Sequence, residues 1–268
     1  LTGYGEKGPD SHRTAFDTMA WWARSGLMDI VRPSENSLPA NPPIGMGDQP
    51  TGVALFASIM TALYRREKTG KGGEVHTSLM ANGAWSNGSF IQAGLFGAQF
   101  PDRKEPSPLH PFGGRYKTKD NRYLILAIID ANKEWPKLLK ALDIEYLNED
   151  PRFSSFKKMN ENFTILYVEL EKIFIQYSLK EITEKLRFSE VTFGILSHSN
   201  DHSKDQQFIE SEVLVKFDEG SFDEDFLTVN SPIFLENESK KIPTKAPKLG
   251  EHTKEILSSL GQDEEEIA

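Results

Sequence analysis

The chain has 268 residues, with 31 Lys and Arg against 40 Asp and Glu, a net charge of −9. That length fits one large domain or two modest ones with an unaided core, and the acidic balance argues against nucleic acid and anionic membrane surfaces as partners. The absence of Cys excludes disulfides, thiolate nucleophiles and Cys-ligated metal or iron–sulfur centres, and fits a reducing, cytoplasmic setting.

Leu1-Thr2-Gly3-Tyr4-Gly5 reads as the end of a strand turning at glycine. With no initiator Met, the expectation is the back part of something longer. Thr14 to Gly26 is expected to be a helix with Phe16, Met19, Ala20 and Ala23 on one face. Residues 32–43 carry four Pro and cannot be helical. After Asp48, the residues Val53, Phe56, Ile59, Met60 and Leu63 fall at three- and four-residue steps, an amphipathic helix. Arg65, Arg66 and Lys68 stand in its last turn and Gly70 follows. Its apolar run, Val53 to Tyr64, is too short to span a membrane. Glu74 to Leu79 alternates like a strand, and a second helical stretch runs on to Gly97.

Pro101, Pro106, Pro108 and Pro111 mark an extended linker. Arg115 to Thr118 and Arg122 to Ile129 flank a polar turn and read as a hairpin. Glu134 to Leu142 is helical, and Asn162 to Arg187 holds two helices split near Ser178. Val191 to Leu196 is a short strand. A loop and a short helix closed by Gly261 end the pattern. Composition divides the chain at 1–100, 101–205 and 206–268.

Several residues can carry chemistry, each with a plain structural reading beside it. Asp48, in Gly45-Met46-Gly47-Asp48-Gln49-Pro50-Thr51-Gly52, reads as a helix N-cap. A carboxylate at a helix start also stays ionised and can attack an acyl carbon. Gly45 and Gly47 would let a ligand or another backbone approach closely. Phe112-Gly113-Gly114 reads as a flexible turn, or as a loop with free N–H groups able to hold an oxyanion. Of six His, only His198 and His202 have i,i+4 spacing, and they lack a third ligand. His110 is the one beside candidate chemistry.

Together, GYGEKGP (3–9), AFDTMAWWARSG (15–26), GMGDQPTG (45–52), ALYRREKTGKGGEVHTSL (62–79), DPRF (150–153) and APKLGEHT (246–253) resemble the class III CoA-transferases, the CaiB/BaiF family. The FDTMAWWARSG and NGAWSNG segments look most like the branch acting on aryl and 2-hydroxy acids. The resemblance implies an α/β fold: part of a Rossmann-like large domain, here 1–100, a small α+β domain at 101–205, and a return segment at 206–268. It implies interlocked homodimers and lacks the family's N-terminal part of the large domain. Asp48 takes the position of the acyl-accepting nucleophile, and Gly113 and Gly114 that of the loop shielding the site. Phe16 and Gly47 would line the coenzyme site. Coenzyme A enters as a substrate alongside an acyl-CoA and a carboxylic acid, with no permanently bound cofactor and no metal. Racemases of the family carry a His where this chain has Phe16, which argues against a 2-methylacyl-CoA racemase. A third reading is an inactive C-terminal fragment that supplies only interface contacts. Without the front of the large domain, the apolar faces of helices 52–69 and 79–97 are expected to be uncovered.

Overall fold

The structure, a computed structural model, describes residues 1–100, 109–218, 220, 222 and 226–262. It divides into two units, Leu1–Pro108 and Leu109–Ala268. The expected linker at 101–108 lies outside the described residues.

In the first unit, Thr2 pairs in parallel with Ser78 at one bridge. The Thr2 N–H donates to the Thr77 carbonyl at 3.1 Å, and Leu79 N–H donates back to the Thr2 carbonyl at 3.0 Å. The strand expected at Glu74 to Leu79 is therefore irregular backbone with a single bridge at Ser78, and Leu79 already belongs to the helix that follows. Alternation marks a segment suited to a sheet, but a ladder needs a neighbour paired over several residues. Among the described residues that bridge is its whole pairing.

The helix expected at Thr14 to Gly26 forms only over Asp17–Ala23, and it is wound as a π-helix. The Arg24 N–H reaches back five residues to the Met19 carbonyl at 3.0 Å. The wider turn brings successive side chains closer in azimuth, so neighbours Trp21 and Trp22 both enter the core. Their rings stack at 5.8 Å and 7°. Gly26, at φ +84°, turns the chain into the short helix α1 (Leu27–Ile30). The proline segment that follows is non-helical, as expected, and the Trp22 indole anchors it by donating to the Ala40 carbonyl at 2.8 Å.

Helix α2 spans Asp48–Thr69 and ends at Gly70 in the left-handed region. Thr51 alone is buried on it. Val53, Phe56, Ile59, Met60 and Leu63 are 36–49% exposed, so the apolar face is uncovered as expected. The helical stretch expected to reach Gly97 is two helices, α3 (Leu79–Ser86) and α4 (Gly88–Leu95). The break falls at buried Asn87, whose side-chain amide donates to the Ser25 carbonyl at 2.7 Å. That distant bond ties the junction of the two helices to the turn before α1. Tyr4, Ala20, Trp21, Trp22 and Leu79 form the unit's small core.

The second unit opens with a tight turn at Pro111–Gly113. Strands β1 (Arg115–Lys117) and β2 (Tyr123–Leu126) form the expected hairpin, Lys117 opposite Tyr123. Asn121 takes the left-handed conformation its turn requires. Helices α5 (Ala131–Leu142), α6 (Tyr146–Glu149), α7 (Phe156–Glu161), α8 (Phe163–Phe174) and α9 (Leu179–Phe188) follow. Ser178 splits α8 from α9 because it caps α9 reciprocally with Glu181. Strand β3 (Phe193–Ile195) joins the free side of β2, antiparallel. Leu124 and Leu126 point inward from β2, onto Phe153, Leu166, Phe174 and Leu186. Burying each such leucine is worth roughly 1.5–3 kcal/mol. Beyond this core lie α10 (Gln206–Glu210), a second antiparallel pair of β4 (Leu214–Lys216) and β5 (Leu227–Val229), and α11 (Thr253–Ser259).

Candidate active site

Asp48 is the first residue of α2, and Gly47 occupies the cap position ahead of it. The N-cap reading of Asp48 is thereby corrected: its side chain makes no capping bond, because it already lies one residue inside the helix. The carboxylate is exposed and has no hydrogen bond or ion pair with the described residues. It stands at the end of the helix where free N–H groups and the macrodipole favour negative charge. Such a group is unspent and directed outward, as a nucleophile must be.

The backbone around Asp48 is fixed from behind. Gly45 takes φ +76°, which only glycine adopts at little cost. Gly47 is buried against the Trp21 ring: a Cβ there would lie 2.5 Å from Cγ of the indole. The fully buried Thr51 donates its hydroxyl to the Gly47 carbonyl at 2.6 Å. The close approach inferred for Gly47 is thus made by Trp21. The sequence reading assigned no such contact, although a Trp pair and a GxGD turn in one unit are its signal.

Phe16 caps the π-helix, and its carbonyl accepts from Met19 at 3.0 Å and Ala20 at 2.9 Å. Its ring is two-thirds exposed, at 66%, in keeping with a surface for a ligand. Ser25, Gly26, Ile30, Asn87, Phe90 and Phe100 line an apolar cavity of about 510 Å³ in the same unit, and none of the nominated residues lines it.

The glycine turn differs from its sequence reading. Its amides are not free: Gly113 N–H donates to the His110 carbonyl at 2.9 Å and Gly114 N–H to the Pro111 carbonyl at 3.3 Å. The oxyanion role expected of these groups loses its donors, since a tight turn consumes its own N–H groups. The turn is also held from outside. The buried Tyr116 hydroxyl donates to the Pro111 carbonyl at 2.7 Å. Ile128 N–H donates to the Phe112 carbonyl at 2.9 Å, and Leu126 N–H to that of Gly114 at 3.0 Å. Burial pushes the Tyr116 phenol far above its usual 10, so it stays a donor. The two glycines are unlike. A Cβ on Gly114 would lie 2.7 Å from Tyr167, whereas one on Gly113 would meet nothing within 4 Å. Gly114 is a packing glycine, and Gly113 presents an open face.

No cluster of His, Asp and Glu suited to a metal ion occurs among the described residues. None of their helices is long and apolar enough to cross a membrane.

Three comparisons bear on this arrangement. The model of the family described as CoA-transferase family III matches residues 1–253. The chain is 35% identical over its whole length to (R)-2-hydroxy-4-methylpentanoate CoA-transferase of Clostridioides difficile, covering 66% of that protein. It is 28% identical, again over its whole length, to cinnamoyl-CoA:phenyllactate CoA-transferase of Clostridium sporogenes, covering 65% of it. A crystal structure of a CaiB/BaiF family protein from Brucella suis superposes with a TM-score of 0.81 at 24% identity, over 97% of this chain and 66% of that one. The chain thus spans slightly less than two thirds of the length of these relatives. With a family model matched over nearly every residue and the fold shared, the chain belongs to CoA-transferase family III.

Proposed function

We propose that the chain takes part in moving coenzyme A from an acyl-CoA thioester to a free carboxylic acid, with Asp48 as the acyl acceptor. The observation that carries this reading is the uncommitted Asp48 carboxylate at the start of α2, within a turn that Trp21 and Thr51 make rigid. Family membership supports the reaction class.

The steps follow from leaving-group chemistry. The Asp48 carboxylate attacks the thioester carbonyl and expels CoA thiolate, leaving a mixed anhydride. The thiolate attacks the aspartyl carbonyl of that anhydride and releases the first acid as its carboxylate. The acceptor carboxylate then attacks the aspartyl-CoA thioester, and the returning thiolate takes up the acceptor acyl group and frees Asp48. One thioester is consumed and another is formed, so the overall exchange is nearly balanced and needs no ATP. Water must be excluded, or the anhydride hydrolyses. We assign that shielding to the Gly113-Gly114 turn, with no oxyanion duty for its amides. Phe16 and Gly47 take the coenzyme side.

The names of the two clostridial relatives support a 2-hydroxy acid with an apolar or aryl side chain as one partner of the exchange. The proposed architecture is a Rossmann-like portion over 1–100, a small domain over 101–205 and a returning segment over 206–268, in a homodimer in the cytoplasm. Mass spectrometry of the chain after incubation with an acyl-CoA tests the reading. An adduct on the peptide carrying Asp48, trapped by hydroxylamine, is expected. Its absence, or its appearance on another carboxylate, refutes it.

A further inference from the structure

We infer that His110 is a positioning residue for the glycine turn, held as one tautomer by Asn160. This rests on the shielding role proposed above for that turn. His110 Nδ1 accepts the Phe112 N–H at 3.3 Å, so that nitrogen carries no proton. In the neutral ring the proton is then on Nε2, which donates to Oδ1 of Asn160 on α7 at 2.8 Å. The ring packs edge-on to Phe112 at 5.3 Å and stacks over Phe163 of α8 at 6.3 Å and 11°. The His110 carbonyl accepts the Gly113 amide. One residue thus fixes the amides of both Phe112 and Gly113, and it ties them to the helical layer through α7 and α8.

The far side of the turn is anchored in the sheet by Leu126 and in the core by Tyr116. Without the ring of His110, the near side keeps only backbone bonds, and Gly113 gains freedom. On the shielding role proposed for the turn, loosening it favours hydrolysis of the aspartyl anhydride over transfer. Water adds to the acyl carbonyl, the Asp48 carboxylate leaves, and the products are free acid and CoA in place of the transferred thioester.

The test compares His110→Leu, His110→Asn and Asn160→Leu in the full chain, given an acyl-CoA and an acceptor carboxylate. The readout is the ratio of hydrolysed to transferred acyl groups, which a loss of folded protein leaves unchanged. His110→Leu is expected to raise it about fivefold, the scale of one lost hydrogen bond. His110→Asn is expected to restore it, because an Asn side-chain oxygen accepts from the N–H two residues on. Asn160→Leu is expected to raise it less. Nitrogen-15 shifts of His110 are expected to show the Nε2–H tautomer, and exchange of the Phe112 amide to quicken in His110→Leu alone of the two His110 variants. An unchanged ratio in His110→Leu, or a proton on Nδ1 in the unaltered chain, overturns the inference. An unaltered chain that neither transfers nor hydrolyses refutes the transferase reading instead. Amide exchange then decides the positioning role by itself, and unchanged exchange in His110→Leu overturns it.

Discussion

The indole of Trp21 lies across the α-carbon of Gly47, so close that a methyl group there would sit 2.5 Å from Cγ and 2.8 Å from Cδ2 of the ring. The same tryptophan presses its backbone on Gly83 of α3, where a Cβ would lie 2.3 Å from the Trp21 carbonyl oxygen. The π-helix is thus wedged between two glycines, one in the turn before Asp48 and one on the helix after the irregular segment. Substituting either overfills the site. Gly47→Ala is expected to cost about 1–3 kcal/mol by displacing the ring. Gly83→Ala should cost more, because a backbone carbonyl has less freedom to give way. Urea denaturation of both variants checks the order; equal midpoints for all three proteins would show that the wedge is slack.

Asp48→Asn separates chemistry from stability. The carboxylate makes no bond that the amide must replace, so the variant should lose only the interaction of one charge with the helix end, about 0.3–1 kcal/mol. Transfer should disappear, because an amide is not an acyl acceptor at neutral pH. Parallel melts and transfer assays decide it, and substantial transfer by the variant removes Asp48 from the mechanism.

Much of this arrangement can be read in the chain itself, and the remainder has a physical reason for staying hidden. The existence of α2, its end at Gly70, the β1–β2 hairpin and the α8–α9 split at Ser178 are local, written in periodicity and capping residues. The π winding of Asp17–Ala23 is not, because apolar spacing in a seven-residue segment does not separate one helical pitch from another. Glu74 to Leu79 alternates correctly and still pairs once, since pairing depends on what lies alongside. Asp48 was legible as a helix-start carboxylate, yet whether it caps or stands free depends on one residue of register. The dipeptide Gly113-Gly114 says nothing about which carbonyls take its amides, and so the turn's rigidity came only with the placement of His110, Pro111 and Tyr116.

Five described carboxylates of the second unit, Asp120, Asp150, Glu181, Glu190 and Asp201, are held below their usual range, and two of them serve to test the acid limb of its stability. The Thr118 hydroxyl holds Asp120 below its usual 3.8, and the Ser178 hydroxyl holds Glu181 below its usual 4.5. A depressed folded-state pKa contributes stability that is complete above the unfolded value and is lost as pH falls through the folded one. The unit should therefore be at full strength at neutral pH and weaken from about pH 4.5 downward. In Asp120→Asn combined with Glu181→Gln, the difference in melting temperature between pH 7 and pH 3 should shrink. A double variant whose acid dependence matches the parent's would place the acid-sensitive groups elsewhere.

Phe16 bears on the racemase alternative. Moving a proton at an α-carbon from one face to the other needs a base on each face, and a phenyl ring takes no proton. The ring stands exposed at the start of the π-helix, with the Phe16 carbonyl bound to Met19 and Ala20 and the side chain free of polar contacts. Incubation of a chiral 2-methylacyl-CoA with the chain in D₂O should therefore leave C2 free of deuterium. Phe16→His supplies the ring nitrogen, and slow exchange by that variant alone would locate the missing base at this position. Rapid exchange by the unaltered chain would mean that bases other than residue 16 serve the α-carbon, and the racemase reading would stand again.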